Sequence, residues 1–271
     1  MKKILFALGL FAVVACSKNA ITGRKQLKLY NEADIQKMAA TEYQQFLSQN
    51  KVISSTANKD AEMVRRVGQR IATAITTYYK GKGLGKELEG FQWEYNLVDS
   101  KDANAWCMPG GKIVVYTGLL PITQNEAALA VVVGHEVAHA LATHGNERMS
   151  QATAQQLGGV ALSVAVANPT PEAQNLFLSA YGIGSTVGAI LPFSRKQELE
   201  ADRFGLIYAA LAGYNPQEAI PLWQRMAAAG GGQSPPEFLS THPAEQTRIE
   251  KLKELMPEAL KHYKPMNKSG F

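Results

Sequence analysis

The stretch Val131–Arg148, VVVGHEVAHALATHGNER, concentrates side chains that can bind a metal ion. It contains three of the five histidines in the chain. His135 and His139 are four residues apart, so a helix would place both imidazoles on one face, where they can bind the same tetrahedral ion. Glu136 completes an H-E-x-x-H pattern, in which the glutamate serves as a general base. The spacing predicts a metal site that activates water.

His144 lies close enough in sequence to be considered as a third ligand, but its spacing argues against it. A continuing helix turns His144 about 140° away from His139. The known pattern with a third histidine needs a spacing of about six residues and a glycine that bends the chain, and this sequence has neither. We therefore expect His144 to lie on the outer face or at the end of the helix, near the C-terminal dipole.

A glutamate on a second helix can complete a His-His-Glu zinc site with one position left for water. The segment RKQELEADRFG supplies Glu198 for this role. Asp202 follows one helical turn later, where it can accept a hydrogen bond from a ligand histidine, His135 being the expected one. Glu200 points about 200° away from Glu198 and is expected to face elsewhere. Taken alone, ELEADR would be interpreted as a solvated, charged helix face.

Apolar periodicity predicts the elements that must position these side chains. Helices are expected over residues 31–49, 60–79, 124–143 and 195–212, and again up to about residue 256. FQWEYNLV alternates as a strand does, and NAWCM, PGG and KIVVYTG are typical of a strand, a type II turn and a strand. These elements predict a mainly α fold with a small β-sheet, which is the α+β class.

Two further apolar stretches, Leu157–Ala167 and Leu176–Leu191, are too short or too interrupted by glycine to cross a membrane. They are interpreted as packed helices, with a membrane-touching or substrate-facing surface as the alternative. The chain of 271 residues, 46% of them hydrophobic, is long enough for one sizeable core. The formal net charge of +5 is too small and too scattered to indicate nucleic-acid binding.

The N-terminus, MKKILFALGLFAVVAC, has the order of a secretory signal: two lysines, a short apolar run and a cysteine. Residues 1–15 are predicted to be a lipoprotein-type signal peptide, with Cys16 carrying the lipid. A plain signal peptide or a buried cysteine is the alternative. Cys107 is interpreted as a packed small hydrophobe. The remaining boundaries are expected at 16–58 (lipidated cysteine, tether over 17–30 and N-terminal helix), 59–262 (catalytic domain) and 263–271 (tail).

Three segments together resemble a known family: GHEVAHALATHGNER, SRKQELEADRFG and THPAEQTRI. They are similar to the zinc metallopeptidases of the CAAX-prenyl-protease and HtpX type, and in particular to their periplasmic lipoprotein branch. The resemblance covers about Asp60 to Met256. It implies a gluzincin-like fold with the HExxH helix under an edge strand, and one zinc ion per chain held by His135, His139 and Glu198.

The resemblance also implies that Asn104 and His242 approach the site as oxyanion donors. For Asn104 the alternative is ordinary turn chemistry. His242 precedes a proline and is expected on a loop. It could donate to the oxyanion, bind zinc as a fourth ligand in the resting enzyme, or merely precede the last helix without a catalytic part.

These features predict a zinc-dependent endopeptidase of the bacterial cell envelope, acting on unfolded or misassembled proteins with Glu136 as general base. The alternative is a chaperone-like envelope assembly factor with little proteolysis. The expected location is the periplasmic face of the outer membrane, through a lipid anchor on Cys16. The expected partners are protein or peptide substrates, with envelope assembly machinery as a further possibility. The sequence carries no sign of a nucleic-acid partner or of an oligomeric state.

Overall fold

The structure, a computed structural model, describes residues 16–155, 170–183, 193–230, 237–242 and 247–265. These residues are mainly helical, and they include two small sheets. The helices are α1 (Glu32–Gln49), α2 (Lys59–Gly81), α3 (Leu120–Thr123), α4 (Glu126–Leu141), α5 (His144–Gln155), α6 (Pro171–Ala180), α7 (Arg195–Leu211), α8 (Ala219–Gly230), α9 (Glu237–Thr241) and α10 (Arg248–Leu260). The strands are β1 (Cys16–Lys18), β2 (Lys25–Leu27), β3 (Val52–Ile53), β4 (Glu94–Val98), β5 (Ala105–Met108) and β6 (Lys112–Tyr116).

The larger sheet has the order β3-β4-β6-β5, with β4 parallel to β6 and the other pairs antiparallel. The turn between β5 and β6 is closed by Gly111 N donating to Met108 O at 3.2 Å, and Gly110 has the φ of +80° that the third position of a type II turn requires. Strand β5 therefore lies at an edge of the sheet, where it packs against α4.

Both faces of this sheet are buried. Ile113 and Val115 of β6 face a core formed with α2, α4 and α7, whereas Val114 between them faces a second cluster formed with α1 and α6. Side chains on a strand alternate between its two faces, so the apolar run in β6 contributes side chains to both cores. Helix α4 is buried throughout from Ala128 to Leu141, and its histidines and Glu136 are therefore held inside the protein.

Local sequence determines where the metal-site helices begin. Asn125 caps α4 by accepting from Ala128 N at 2.8 Å. Ser194 and Gln197 form a reciprocal capping box at the start of α7, and Glu198 directly follows Gln197. Helix α4 ends at Leu141 rather than near residue 143, because Thr143 adopts a left-handed φ of +54°.

Residues 17–30 differ from the tether that the sequence predicted. Strands β1 and β2 form an antiparallel hairpin, which packs at the C-terminal end of α4. Asn19 Nδ2 donates to Leu141 O at 3.4 Å, and Gln26 Nε2 donates to Ala142 O at 2.8 Å. The last carbonyls of a helix have no partner within the helix, so these amides satisfy groups that would otherwise be buried without one.

The apolar stretch Leu157–Ala167 lies outside the described residues, as do the N-terminal residues 1–15 and the tail from residue 266. Of the stretch Leu176–Leu191, the structure describes the end of α6 and the residues up to Ile183. Within the described parts of the chain, every helix is too short or too polar to cross a membrane.

Candidate metal centre

Four buried side chains place their ligand atoms within 4.8 Å of one another: His135, His139, Glu198 and His242. His135 Nε2 lies 3.0 Å from His139 Nε2 and 3.2 Å from His242 Nδ1. Glu198 Oε1 lies 3.2 Å from His139 Nε2 and 2.8 Å from His242 Nδ1. The structure thus brings together the two histidines of α4, the glutamate of α7 and the histidine that follows α9. Such a group can hold a metal ion.

Asp202 lies one turn after Glu198 and faces the same way. Its Oδ1 is 3.0 Å from His135 Nδ1, so the carboxylate accepts a hydrogen bond from the N–H of that nitrogen. His135 Nε2 is then left with a lone pair directed at the other three ligand atoms.

Arg248, at the start of α10, was missed by sequence reasoning. Its guanidinium donates to Glu198 Oε2 at 2.8 Å and to Asp202 Oδ1 at 2.7 Å, and it stacks 3.5 Å over the ring of Trp223. A signal was present in THPAEQTRI, where an arginine stands on the helix that follows the histidine. Its partners, however, lie on another helix, and sequence spacing could not identify them.

Of the two positions expected for His144, the outer face is wrong, and the residue lies just beyond the end of α4. It is fully buried, with Nδ1 2.9 Å from His139 Nδ1 and Nε2 2.9 Å from Glu200 Oε2. The break at Thr143 ends α4 and begins α5, so the projection of a continuing helix does not apply to His144. Glu200, expected to face elsewhere, reaches His139, a member of the candidate metal-binding group, through this histidine.

His242 is buried and is held by its neighbours on both faces. Its backbone N donates to Phe238 O at 2.9 Å, which places it at the C-terminal end of the short helix α9. The ring stacks on Phe238 with centroids 4.3 Å apart and on Phe193 at 5.0 Å. His242 therefore lies at the end of α9 and not at the start of α10, which begins at Arg248, and its part in catalysis stays a prediction.

Glu136 is buried, and its Oε1 has no hydrogen-bond partner among the described residues. That oxygen lies 3.4 Å from His242 Nε2. Burial raises the pKa of Glu136 to about 8. A carboxyl with a pKa in this range can both accept and release a proton near neutrality.

The pKa of Glu198 is shifted in the opposite direction to that of Glu136, although both carboxyls are buried. Burial alone would raise its pKa, but the nearby His242 and Arg248 outweigh burial and hold the pKa of Glu198 well below its usual range. Burial also lowers the pKa of His139 and of His144, so both rings are neutral at neutral pH. An ionised carboxylate beside neutral imidazoles is the state in which these groups bind a cation.

Asn104 is buried immediately before β5, and its Oδ1 accepts from Ala105 N at 2.8 Å. The next residue back, Ala103, accepts from Phe238 N at 3.0 Å, which ties this strand to the helix that carries His242. The Asn104 side chain is thus hydrogen-bonded to the first residue of β5. A role of Asn104 in oxyanion binding stays a prediction.

An H-E-x-x-H helix joined by a glutamate from a second helix, beneath an edge strand, defines a gluzincin-type metallopeptidase. The profile of Peptidase family M48 matches residues 58–256, and the chain belongs to this family. The predicted fold class and the predicted enzyme class, a metalloendopeptidase, are both confirmed.

Several curated relatives carry the same domain. The chain is 36% identical over 197 residues to the mitochondrial metalloendopeptidase OMA1 of Saccharomyces cerevisiae, an alignment that covers 70% of this chain and 54% of that protein. It is 30% identical over 263 residues to the mitochondrial metalloendopeptidase OMA1 of Danio rerio, with 95% of this chain and 54% of that protein covered. It is 32% identical over 163 residues to the beta-barrel assembly-enhancing protease of Yersinia pestis, with 58% and 33% covered. The chain spans about half the length of the first two.

The location predicted from the N-terminus, the periplasmic face of a bacterial outer membrane, is corrected by these relatives. Those that match most of the chain are mitochondrial metalloendopeptidases of yeasts, a plant, a fish and mammals. The prediction was wrong because a positive, apolar N-terminal stretch is a general targeting signal, whose chemistry does not by itself specify one membrane.

Proposed function

We propose that the protein is a zinc-dependent endopeptidase that hydrolyses exposed peptide segments of unfolded or misassembled proteins. The observation that carries this proposal is the convergence of His135, His139 and Glu198 beside the buried carboxyl of Glu136. A protein that only bound other proteins would gain nothing from burying a carboxyl whose Oε1 has no hydrogen-bond partner in the part of the chain that the structure describes, since such burial is costly.

The ligand atoms fit zinc in particular. Tetrahedral zinc with ligand bonds of about 2.0–2.1 Å has about 3.3 Å between neighbouring ligand atoms. Four close separations in the group lie between 2.8 and 3.2 Å, and all four ligand atoms lie within 4.8 Å of one another. Two imidazoles and a carboxylate are also the donor set of catalytic zinc sites. His135, His139 and Glu198 would hold one ion per chain.

When bound, zinc supplies Lewis-acid chemistry for amide hydrolysis. The protein contributes proton transfer through Glu136, whose carboxyl faces the ligand group and would take a proton from water and deliver it to the leaving amine. Asp202 would hold the His135 ring in the orientation and tautomer that ligation needs. Arg248 would fix both carboxylates, Glu198 and Asp202, from the side away from the substrate.

His242 can serve in two ways. As the structure stands, Nδ1 of His242 is one of the four converging atoms, which supports a resting state in which this ring is a fourth ligand. A ring displaced from that position could instead donate Nε2–H to a developing oxyanion. We favour the resting-ligand role, since Nδ1 rather than Nε2 faces Glu198 and His135.

Strand β5 is the element along which we expect an extended substrate to lie. Tyr116 N donates to Asn104 O, so alternation along the antiparallel pair directs the backbone groups of Ala105 and Cys107 away from β6. Ala105 N donates there to Asn104 Oδ1, and a substrate strand would have to replace that hydrogen bond. Pairing of main chains at such an edge binds peptides with little dependence on sequence. This is the property that cleavage of unfolded proteins needs.

Casein digestion by the purified full chain tests this function. Zinc-loaded protein should cleave casein, chelator should abolish the cleavage, and added zinc should restore it. Glu136→Gln should keep zinc and the fold but lose nearly all turnover, because an amide cannot take the proton. Cleavage by Glu136→Gln at the wild-type rate, with metal content verified, would refute the general-base role. Zinc-loaded protein that suppresses aggregation without cleaving casein would support the chaperone-like alternative.

Assignment within the family to the CAAX-prenyl-protease and HtpX type stays a prediction, as does acylation of Cys16. The domain boundaries expected at residues 59 and 262 also stay predictions, and the family profile over residues 58–256 is consistent with them. Mass spectrometry of the mature chain would detect a lipid on Cys16 directly.

A further inference from the structure

The hairpin of residues 16–27 precedes the segment that the family profile covers, yet it contacts the helices of the metal centre. Arg24 donates through Nη1 and Nη2 to the two oxygens of Glu147 on α5, at 2.5 and 2.7 Å. Its Nε donates to Glu200 Oε1 on α7 at 2.7 Å. One guanidinium therefore binds carboxylates on the two helices that flank the end of α4.

The other oxygen of Glu200 continues this chain of contacts inward. Glu200 Oε2 lies 2.9 Å from His144 Nε2, and His144 Nδ1 lies 2.9 Å from His139 Nδ1. His144 is fully buried, and the side chain of Glu200 is 17% exposed. An unbroken series of charge-assisted and neutral hydrogen bonds thus runs from the hairpin to a member of the metal-binding group.

The direction of each proton in this series follows from the partners. An ionised carboxylate can only accept a hydrogen bond, so His144 Nε2 carries a proton and its N–H donates a hydrogen bond to Glu200. The neutral His144 ring then has a lone pair on Nδ1, and His139 Nδ1 must donate to it. His139 is left with a lone pair on Nε2, the nitrogen that faces Glu198 and His135. The series selects the tautomer of His139 that can bind a metal.

Without His144, His139 Nδ1 would lose the acceptor that favours a proton on that nitrogen. The opposite tautomer of His139, with the proton on Nε2, would then no longer be disfavoured. A proton on His139 Nε2 could be donated to Glu198 Oε1, 3.2 Å away, and that hydrogen bond would occupy both atoms that ligation requires. Two ligands would then satisfy each other in place of the metal. Second-sphere groups of this kind commonly change metal affinity by about 10–100-fold.

We propose that the N-terminal hairpin is a functional part of the metal centre, in which Arg24 acts through Glu200 and His144, as positioning residues, to hold His139 in its metal-binding tautomer. This inference rests on the proposed zinc function. Arg24, which lies outside the segment that the family profile covers, would thereby affect how tightly the site holds its ion.

The test measures the zinc dissociation constant of the full chain by competition with a chromogenic chelator, and the visible spectrum of the cobalt-substituted protein. His144→Leu should weaken zinc binding by about 10–100-fold and alter the cobalt spectrum. His144→Asn, whose amide oxygen can replace Nδ1 as the acceptor for His139, should restore most of the affinity. Arg24→Ala should weaken binding in the same direction by a smaller factor.

Lys25→Ala is the matched control, because Lys25 directly follows Arg24 in the hairpin and has an exposed side chain. This variant should leave zinc binding unchanged. Wild-type affinity in Arg24→Ala would overturn the role of the hairpin, and wild-type affinity in His144→Leu would overturn the tautomer argument itself. Equal weakening in His144→Leu and His144→Asn would also overturn it, since loss of packing alone would then explain the effect. If His144→Leu does not fold, Arg24→Ala and Glu200→Ala decide the outcome, and unchanged affinity in both overturns the proposal. A wild-type chain that binds no zinc would instead overturn the proposed function.

Discussion

Gly134 and Gly205 face each other where α4 crosses α7. A methyl group on Gly134 would lie 2.7 Å from the carbonyl oxygen of Gly205, and a methyl group on Gly205 would lie 2.7 Å from His135 N. Separations this short do not occur between real atoms of these types, so only glycine permits the observed approach. This close crossing brings Glu198 and Asp202 within reach of His135.

We expect Gly205→Ala to separate the two helices and to damage both stability and the metal site. Overpacking of a tight interior costs about 1–3 kcal/mol, and here the clash is with backbone atoms that cannot rotate away. Thermal unfolding and zinc titration of the variant measure the two effects. Gly81→Ala is the control, because a methyl group there would meet nothing within 4 Å. Equal melting temperatures for the two variants would contradict this account of the crossing.

Arg248→Ala should destabilise the metal-free protein strongly, because it leaves the carboxylates of Glu198 and Asp202 buried without their cation. Breaking a buried ion pair from one side costs about 3–5 kcal/mol. Bound zinc would restore part of the missing positive charge, so the loss in melting temperature should be smaller for the zinc-loaded protein than in chelator.

Arg203→Ala provides the matched control, because Arg203 joins the same two helices through Glu258 with side chains that are 46% and 39% exposed. Such a surface pair contributes about 0–1 kcal/mol. If Arg248→Ala loses the same stability with and without zinc, the charge-compensation argument for Arg248 is wrong.

Glu136 should make the stability of the metal-free protein depend on pH. Its pKa is raised from 4.5 to about 8 in the folded state, so folding takes up a proton between these values. The contribution of this carboxyl is fully present below about 4.5 and is lost as the pH rises through about 8. Glu136→Gln cannot titrate. In chelator, its melting temperature relative to wild type should therefore rise from pH 5 to pH 9, and a constant difference would contradict the raised pKa.

His242→Ala decides between the two roles of this histidine, since they predict opposite signs. If His242 is a resting ligand, its removal should raise casein turnover at saturating zinc while weakening zinc binding. If it is an oxyanion donor, its removal should raise the activation barrier by up to about 2–4 kcal/mol, so turnover should fall while zinc is retained.

We expect the rise, because His242 Nδ1 already converges with the other ligand atoms. His262→Ala, at a histidine that packs against Tyr78, controls for the loss of an imidazole elsewhere. Turnover equal to that of wild type in His242→Ala would exclude this residue from the site.

Those parts of the fold that depend on contacts within a few residues could be predicted from the sequence. The caps at Asn31, Asn125 and Ser194 lie where helix starts were expected, and the Pro-Gly turn closes the β5–β6 pair. The helical spacing of His135 and His139, and of Glu198 and Asp202, has the same local origin. What failed at short range was His144, because a single left-handed residue at Thr143 redirected the chain.

Periodicity and spacing by themselves determined which helices form and which pairs of side chains share a face. Only the tertiary structure decided that Arg248 bridges the two carboxylates, that His144 and Glu200 support His139, and that the hairpin carrying Arg24 covers the end of α4. The physical reason is that a buried charge or a helix-end carbonyl is costly without a hydrogen-bond or ionic partner. The local sequence does not determine which distant group will be nearest once the helices pack. That choice follows from the crossing of α4 and α7 at two glycines, where packing sets the distances.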